Sequence, residues 1–164
     1  MSEKKYSLLS EASRNEIDFW LTKYPVDQKR SALLPALHIV QDANGGWLSP
    51  ELIEAVATYL DLPAVAGFEV ATFYSMYDLA PVGRHKVKVC TSISCMLNGA
   101  DVLLAHMEKH LGISVGETTP DHRITLKKVE CLAACGGAPA MTIDQVYHEN
   151  ISPEKATELL DKLT

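Results

Sequence analysis

Lys86-Val87-Lys88-Val89-Cys90-Thr91-Ser92-Ile93-Ser94-Cys95 is the stretch at which this chain changes character. Its opening residues alternate polar and apolar, the period of a half-buried strand. The alternation delivers Cys90 at the strand's end, and Cys95 follows after a gap of four residues. Upstream, apolar residues recur at helical spacing; downstream, strand and helix patterns mix.

Reading downstream, Asn98 has the place of a cap for a helix through Leu103, Leu104, Met107 and Leu111, which Gly112 stops. Ile124 and Leu126 alternate in a second strand that leads to Cys131. Ala140–Ile143 and Val146-Tyr147 pair as a hairpin across Asp144-Gln145. Ser152-Pro153-Glu154 opens a last helix with Ala156, Leu159, Leu160 and Leu163 on one face. The order is β-α-β-β-β-α. A helix crossing between the first two strands favours pairing them in parallel, which places both cysteine loops at the carboxyl end of the sheet. This pattern suits a small thioredoxin-like α/β domain.

Upstream the pattern is helical throughout. Residues 1–12 read as a loose polar lead. Ser13 to Glu16 has the form of a capping box, ahead of Ile17, Trp20, Leu21 and Tyr24 on one helix face, and Pro25 closes the helix. A second helix is predicted over 28–43, with Leu33, Leu34, Leu37 and Val40 inward. Pro35 either kinks it or marks its first turn. Asn44-Gly45-Gly46 stops it. Ser49 caps a third helix with Pro50 at its first position and Leu52, Ile53, Val56, Tyr59 and Leu60 inward. A fourth follows Pro63, bends at Gly67 and ends near Tyr77. The predicted fold class is therefore α+β: an N-terminal helical bundle over 1–80, then a thioredoxin-like domain over 81–164, with Pro81-Val82-Gly83 between them.

All four cysteines lie in the second half, as Cys90/Cys95 and Cys131/Cys135. Four thiolates are the soft donor set that suits iron–sulfur clusters, zinc or copper(I). The spacing favours a [2Fe–2S] cluster with two thiolates per iron, because the four- and three-residue gaps give open loops around a two-iron unit. A structural zinc is the second reading, but zinc knuckles use shorter gaps and closer pairs than the 35 residues separating these. Thiol–disulfide chemistry is the third, and its C-x-x-C motif is absent. Ligation with histidine is disfavoured, since His85 is the nearest histidine to any cysteine. The start of the helix after Cys95 would point N–H groups at the cluster's negative charge, and Gly136-Gly137 would let backbone amides approach the sulfurs.

Composition narrows the function. A net charge of −6 argues against sequence-independent nucleic-acid binding and against an anionic membrane surface. No apolar run is long enough to insert in a membrane, and the N-terminus lacks the apolar core and cleavage site of a signal peptide, so a cytoplasmic chain is expected. There is no dinucleotide fingerprint, P-loop lysine, nucleophile elbow or H-E-x-x-H, and no catalytic residue is assigned. His106 and His110 read as solvent-facing histidines rather than a metal pair. Phe73, Tyr74 and Tyr77 read as core or interface. Arg84, His85, Lys86 and Lys88 fit either an edge strand guarded by lysines or partner docking.

Three runs carry a resemblance. They are Glu69-Val70-Ala71-Thr72-Phe73-Tyr74-Ser75-Met76 with Pro81-Val82-Gly83-Arg84; Val89-Cys90 through Cys95-Met96-Leu97; and Glu130-Cys131-Leu132-Ala133-Ala134-Cys135 with Ala138-Pro139. From about residue 14 onward the chain resembles the E-type subunits of bacterial NADH:quinone oxidoreductase (respiratory complex I), a family of thioredoxin-like [2Fe–2S] ferredoxins. The resemblance implies that Cys90 and Cys95 bind one iron and Cys131 and Cys135 the other. It implies an electron-transfer role beside an F-type subunit that carries FMN and the NADH site, and a large G-type iron–sulfur subunit. The host would be a membrane-bound complex whose peripheral arm lies on the cytoplasmic side, with this subunit not inserted in the membrane. Similar subunits serve NAD-reducing hydrogenases and NAD-dependent formate dehydrogenases; a zinc-stabilised interaction module is the rival of another class. The chain departs from the family in having Ala133 where Gly is frequent and Gly137 where Asn is.

Overall fold

A computed structural model describes residues 7–164, so the first half of the predicted polar lead, residues 1–6, lies outside the described residues. The chain divides into two compact units, one ending at Pro81 and the other beginning at Val82.

The first unit contains α1 (Glu11–Leu21), α2 (Leu33–Ala43), α3 (Pro50–Tyr59) and α4 (Ala64–Phe73), with a 3-10 turn, Lys29–Ala32, leading into α2. Ser10 rather than Ser13 caps α1, its hydroxyl accepting the Ser13 N–H at 3.0 Å. The helix starts early because Leu9 is already sunk in the core and fixes the chain one residue before the cap. Pro35 is the third residue of α2, within the first turn, where its missing N–H would have had no intrahelical partner. Ser49 caps α3 by accepting the Leu52 N–H at 3.3 Å. The unit's core is built on Ile17, Leu33, Leu37, Leu48, Ile53 and Leu60. Each such side chain contributes about 1.5–3 kcal/mol when removed from water.

α4 departs from the expected element at its end. The helix runs through Gly67, whose lack of a side chain serves packing: a Cβ there would lie 2.8 Å from Ile53 Cγ2 and 3.1 Å from the Ile53 carbonyl on α3. It ends at Phe73, where Tyr74 turns extended, because the following segment is claimed by α2. Gln41, buried, donates from Nε2 to the Met76 carbonyl at 3.2 Å and accepts the Asp78 N–H at 2.8 Å. The Tyr77 hydroxyl donates to the Leu34 carbonyl at 2.9 Å, and burial pushes its phenol up to about 12. Tyr77 is thus core, whereas Phe73 is 79% exposed.

The second unit contains β1 (His85–Cys90), α5 (Ile93–Leu97), α6 (Ala100–Leu111), β2 (Ile124–Val129), β3 (Met141–Ile143), β4 (Val146–His148) and α7 (Pro153–Asp161). The sheet order is β2-β1-β3-β4. β1 and β2 are parallel, in register from His85 with Ile124 to Cys90 with Val129. β3 is antiparallel to β1, and β4 closes the expected hairpin. Val87, Val89, Ile124 and Leu126 from the sheet pack with Leu103, Met107 and Leu160 from α6 and α7.

β1 is an interior strand, so Lys86 and Lys88 do not guard an edge; the hairpin supplies a neighbour on the side the sequence left open. Asp144, in a left-handed turn conformation with φ 56°, helps hold that neighbour. Its carboxylate accepts the Lys86 N–H at 2.8 Å and meets His85 Nδ1 at 2.9 Å. A further correction concerns Asn98, which closes α5 by donating to the Ser94 carbonyl at 2.7 Å. The cap position of α6 falls to Gly99 at φ 92°, a conformation that excludes most residues with a Cβ. His106 and His110 tie α6 to α7 through Thr157 and Asp161, each at 2.9 Å.

Candidate metal centre

Cys90 is the last residue of β1, and Cys131 stands two residues beyond the end of β2. Because the strands are parallel and in register at their ends, the two cysteine loops leave the sheet on the same side. The first loop is anchored to the sheet: the Cys90 N–H donates to the Ala140 carbonyl at 3.0 Å, and the Thr91 N–H to the Val129 carbonyl at 3.0 Å. Cys95 lies inside α5, which winds immediately after the strand. The second loop passes through Ala133 at φ 58° and a 3-10 turn, Cys135–Gly137, to the cis Ala138–Pro139 bond.

The pairs differ in exposure. Cys90 and Cys95 are buried, at 2% each, and Cys131 and Cys135 are exposed; all four are free thiols. Cys131 Sγ and Cys135 Sγ are 3.7 Å apart. That is the separation of two thiolates on one tetrahedral ion at a metal–sulfur distance of about 2.3 Å. Among the described residues no three His, Cys, Asp or Glu side chains are placed around a single ion. Cys131 and Cys135 form one pair, and the Cys95 thiol meets Cys90 in the other.

Backbone amides surround these sulfurs. The Ala133 N–H donates to Cys131 Sγ at 3.3 Å. Burial pushes the Cys90 thiol up, but the N–H groups of Leu132 and Ser92, the Cys95 thiol and the Ser92 hydroxyl outweigh it, and Cys90 lies below the usual thiol range. Cys95 is raised by burial against the opposing Ala140 N–H, with the Cys90 and Cys135 sulfurs adding to the rise. Cys135 is raised chiefly by Cys131, then by burial and by Cys90. Cys95 and Cys135 each feel a sulfur of the other pair as well as of their own. Amide donors are what a thiolate-held anion needs, because hydrogen bonds to the charged form stabilise it.

The sequence had pointed to other donors. The Gly137 N–H is spent on the Ala134 carbonyl at 3.1 Å rather than on a sulfur. The space a side chain at 137 would take is filled by Glu149, whose Cβ lies 2.6 Å from the position of an added Cβ. Ser94, which no motif flagged, donates its hydroxyl to the Cys135 carbonyl at 3.2 Å and joins the two loops. His85, His106 and His110 make their contacts with Asp144, Thr157 and Asp161 instead.

The chain also matches known proteins along most of its length. The family model described as thioredoxin-like [2Fe–2S] ferredoxin matches residues 17–164. The E subunit of NADH-quinone oxidoreductase from Rickettsia felis is 46% identical over 142 residues, 87% of this chain and 85% of that protein. The mitochondrial NADH dehydrogenase [ubiquinone] flavoprotein 2 of Dictyostelium discoideum is 41% identical over 87% of this chain and 58% of its own length. Among solved structures, an NAD+-reducing [NiFe]-hydrogenase chain superposes with a TM-score of 0.68 at 23% identity; the match covers 79% of this chain and 22% of that one. This chain belongs to the thioredoxin-like [2Fe–2S] ferredoxin family.

Proposed function

We propose that Cys90 and Cys95 hold one iron, and Cys131 and Cys135 the other, of a single [2Fe–2S] cluster, and that the chain is the electron-transfer subunit of an NADH-quinone oxidoreductase. The placing of four free thiols, in two pairs, at and just beyond the carboxyl ends of two parallel strands is the observation that carries this reading. When bound, the cluster supplies one-electron transfer, which suits exchange with the FMN of an NADH-binding neighbour.

The chain's own residues hold and tune the site. Cys90 and Cys95 face the protein interior, while Cys131 and Cys135 form the edge open to a partner. Ala133 and Leu132 direct N–H groups at the sulfurs and offset their negative charge. The partners are an F-type subunit bearing FMN and the NADH site and a large G-type iron–sulfur subunit, in the peripheral arm on the cytoplasmic side. Among the described residues no helix is long and apolar enough to cross a membrane. The likeness to the hydrogenase is one of fold, whereas 46% identity to the Rickettsia felis protein favours the NADH-quinone oxidoreductase over a hydrogenase or formate dehydrogenase host.

Replacing Cys131 by Ala tests the ligand set. The variant is expected to be colourless or to bleach rapidly after reconstitution with iron and sulfide. A cluster spectrum matching that of the unaltered chain would remove Cys131 from the assignment.

A further inference from the structure

The two cysteine loops are separated by 35 residues of sequence, yet their four thiols must keep a fixed spacing for one cluster to fit. The first loop is braced by the sheet through Cys90 and Thr91. The second is tied in at Leu132, whose N–H meets Cys90, and past Cys135 by the Asn150 N–H on the Gly137 carbonyl at 2.7 Å, but both of its cysteines are exposed and it turns through Ala133 in the left-handed region. Ser94 adds a tie at Cys135 itself. It lies on α5, one residue before Cys95, and its Oγ donates to the backbone carbonyl of Cys135 at 3.2 Å. Its own carbonyl is held by Asn98 Nδ2 at 2.7 Å, so the donor is fixed from behind. The bond therefore joins the residue next to a ligand of one pair to the main chain of a ligand in the other pair.

We infer that Ser94 is a positioning residue for the cluster, a hydroxyl clasp that sets the distance between the buried and the exposed thiol pairs. The inference rests on the cluster assignment above. Ser94 touches no iron. It acts through the Cys135 backbone, by limiting how far the outer loop swings away from Cys90 and Cys95. Losing the bond leaves the ligand set whole and lets the exposed half of the site open, exposing the iron there to competing ligands. A neutral hydrogen bond of ordinary strength supports an effect of about two- to tenfold on such an opening equilibrium.

The experiment uses the full chain, reconstituted anaerobically with iron and sulfide, as the unaltered protein, Ser94→Ala and Ser94→Thr. The rate at which a ferrous chelator bleaches the visible spectrum is measured, with the EPR g-values of the dithionite-reduced protein as a second readout. Ser94→Ala is expected to bleach about two- to tenfold faster with shifted g-values, and Ser94→Thr to keep the original rate because it retains the hydroxyl. Equal rates for Ser94→Ala and the unaltered chain, or equally fast loss from both variants, would overturn the clasp while leaving the cluster assignment intact. A Ser94→Ala chain whose cluster-free form has lost helix content would mark Ser94 as a fold residue and also overturn it. Failure of the unaltered chain to take up a cluster would instead bring down the assignment, and the clasp with it.

Discussion

Ala133 sits at φ 58° in the middle of the second cysteine loop, a backbone region where a Cβ crowds the neighbouring carbonyl. The loop accepts this because the turn aims the Ala133 N–H at Cys131 Sγ. A Gly at this position would adopt the conformation without that strain. Ala133→Gly is therefore expected to stabilise the cluster-free chain by about 1 kcal/mol, read as a raised guanidinium midpoint. A lowered midpoint would show that the strain is absent. The cysteines were legible in the sequence because their chemistry resides in residue type and spacing. The donors around them were not, because a backbone N–H has no letter of its own. Leu132, Ala133 and Ala140 look apolar in the sequence yet supply the amides. Gly137 looked like a sulfur-facing amide but makes room for Glu149.

Helix starts show where short patterns suffice. Ser49-Pro50-Glu51 and Ser152-Pro153-Glu154 each read as a capped start, and each forms one. In both, a hydrogen bond with the cap serine holds the glutamate below the usual carboxylate range. Asp121 is lowered likewise, first by the Thr119 hydroxyl and then by the Arg123 N–H. A carboxylate whose folded pKa lies below its unfolded value contributes stability above the unfolded value and loses it as pH falls through the folded one. Stability should therefore fall on acidification below about pH 4.5. Glu154→Gln is expected to make that fall shallower in unfolding midpoints measured against pH; an unchanged slope would contradict the role of the cap. Where the pattern misled, a neighbour had intervened. Leu9 anchored α1 earlier than Ser13 suggested, Gly99 took the cap position expected of Asn98, and Gln41 and Tyr77 claimed the segment that periodicity had added to α4.

For the molecule as a whole, the change of pattern near Lys86 marked the start of the sheet, and the crossover rule placed β1 and β2 in parallel. That one parallel pair accounts for the site, since it brings Cys90 and the Cys131 loop to the same end from far apart in the chain. The interior position of β1 was not legible, because a three-residue hairpin strand is too short to declare its neighbour. The match to a thioredoxin-like [2Fe–2S] ferredoxin over residues 17–164 gives the same architecture a family context. The most direct test of the central claim is the visible and EPR spectrum of the anaerobically purified chain before and after dithionite, with iron, sulfide and zinc determined on the same sample. The expected result is a brown protein with about two irons and about two acid-labile sulfides per chain, EPR-silent as isolated and giving a half-integer-spin signal on reduction. A colourless, silent protein with stoichiometric zinc that also fails to take up iron and sulfide would contradict the claim and leave a zinc-stabilised interaction module in its place.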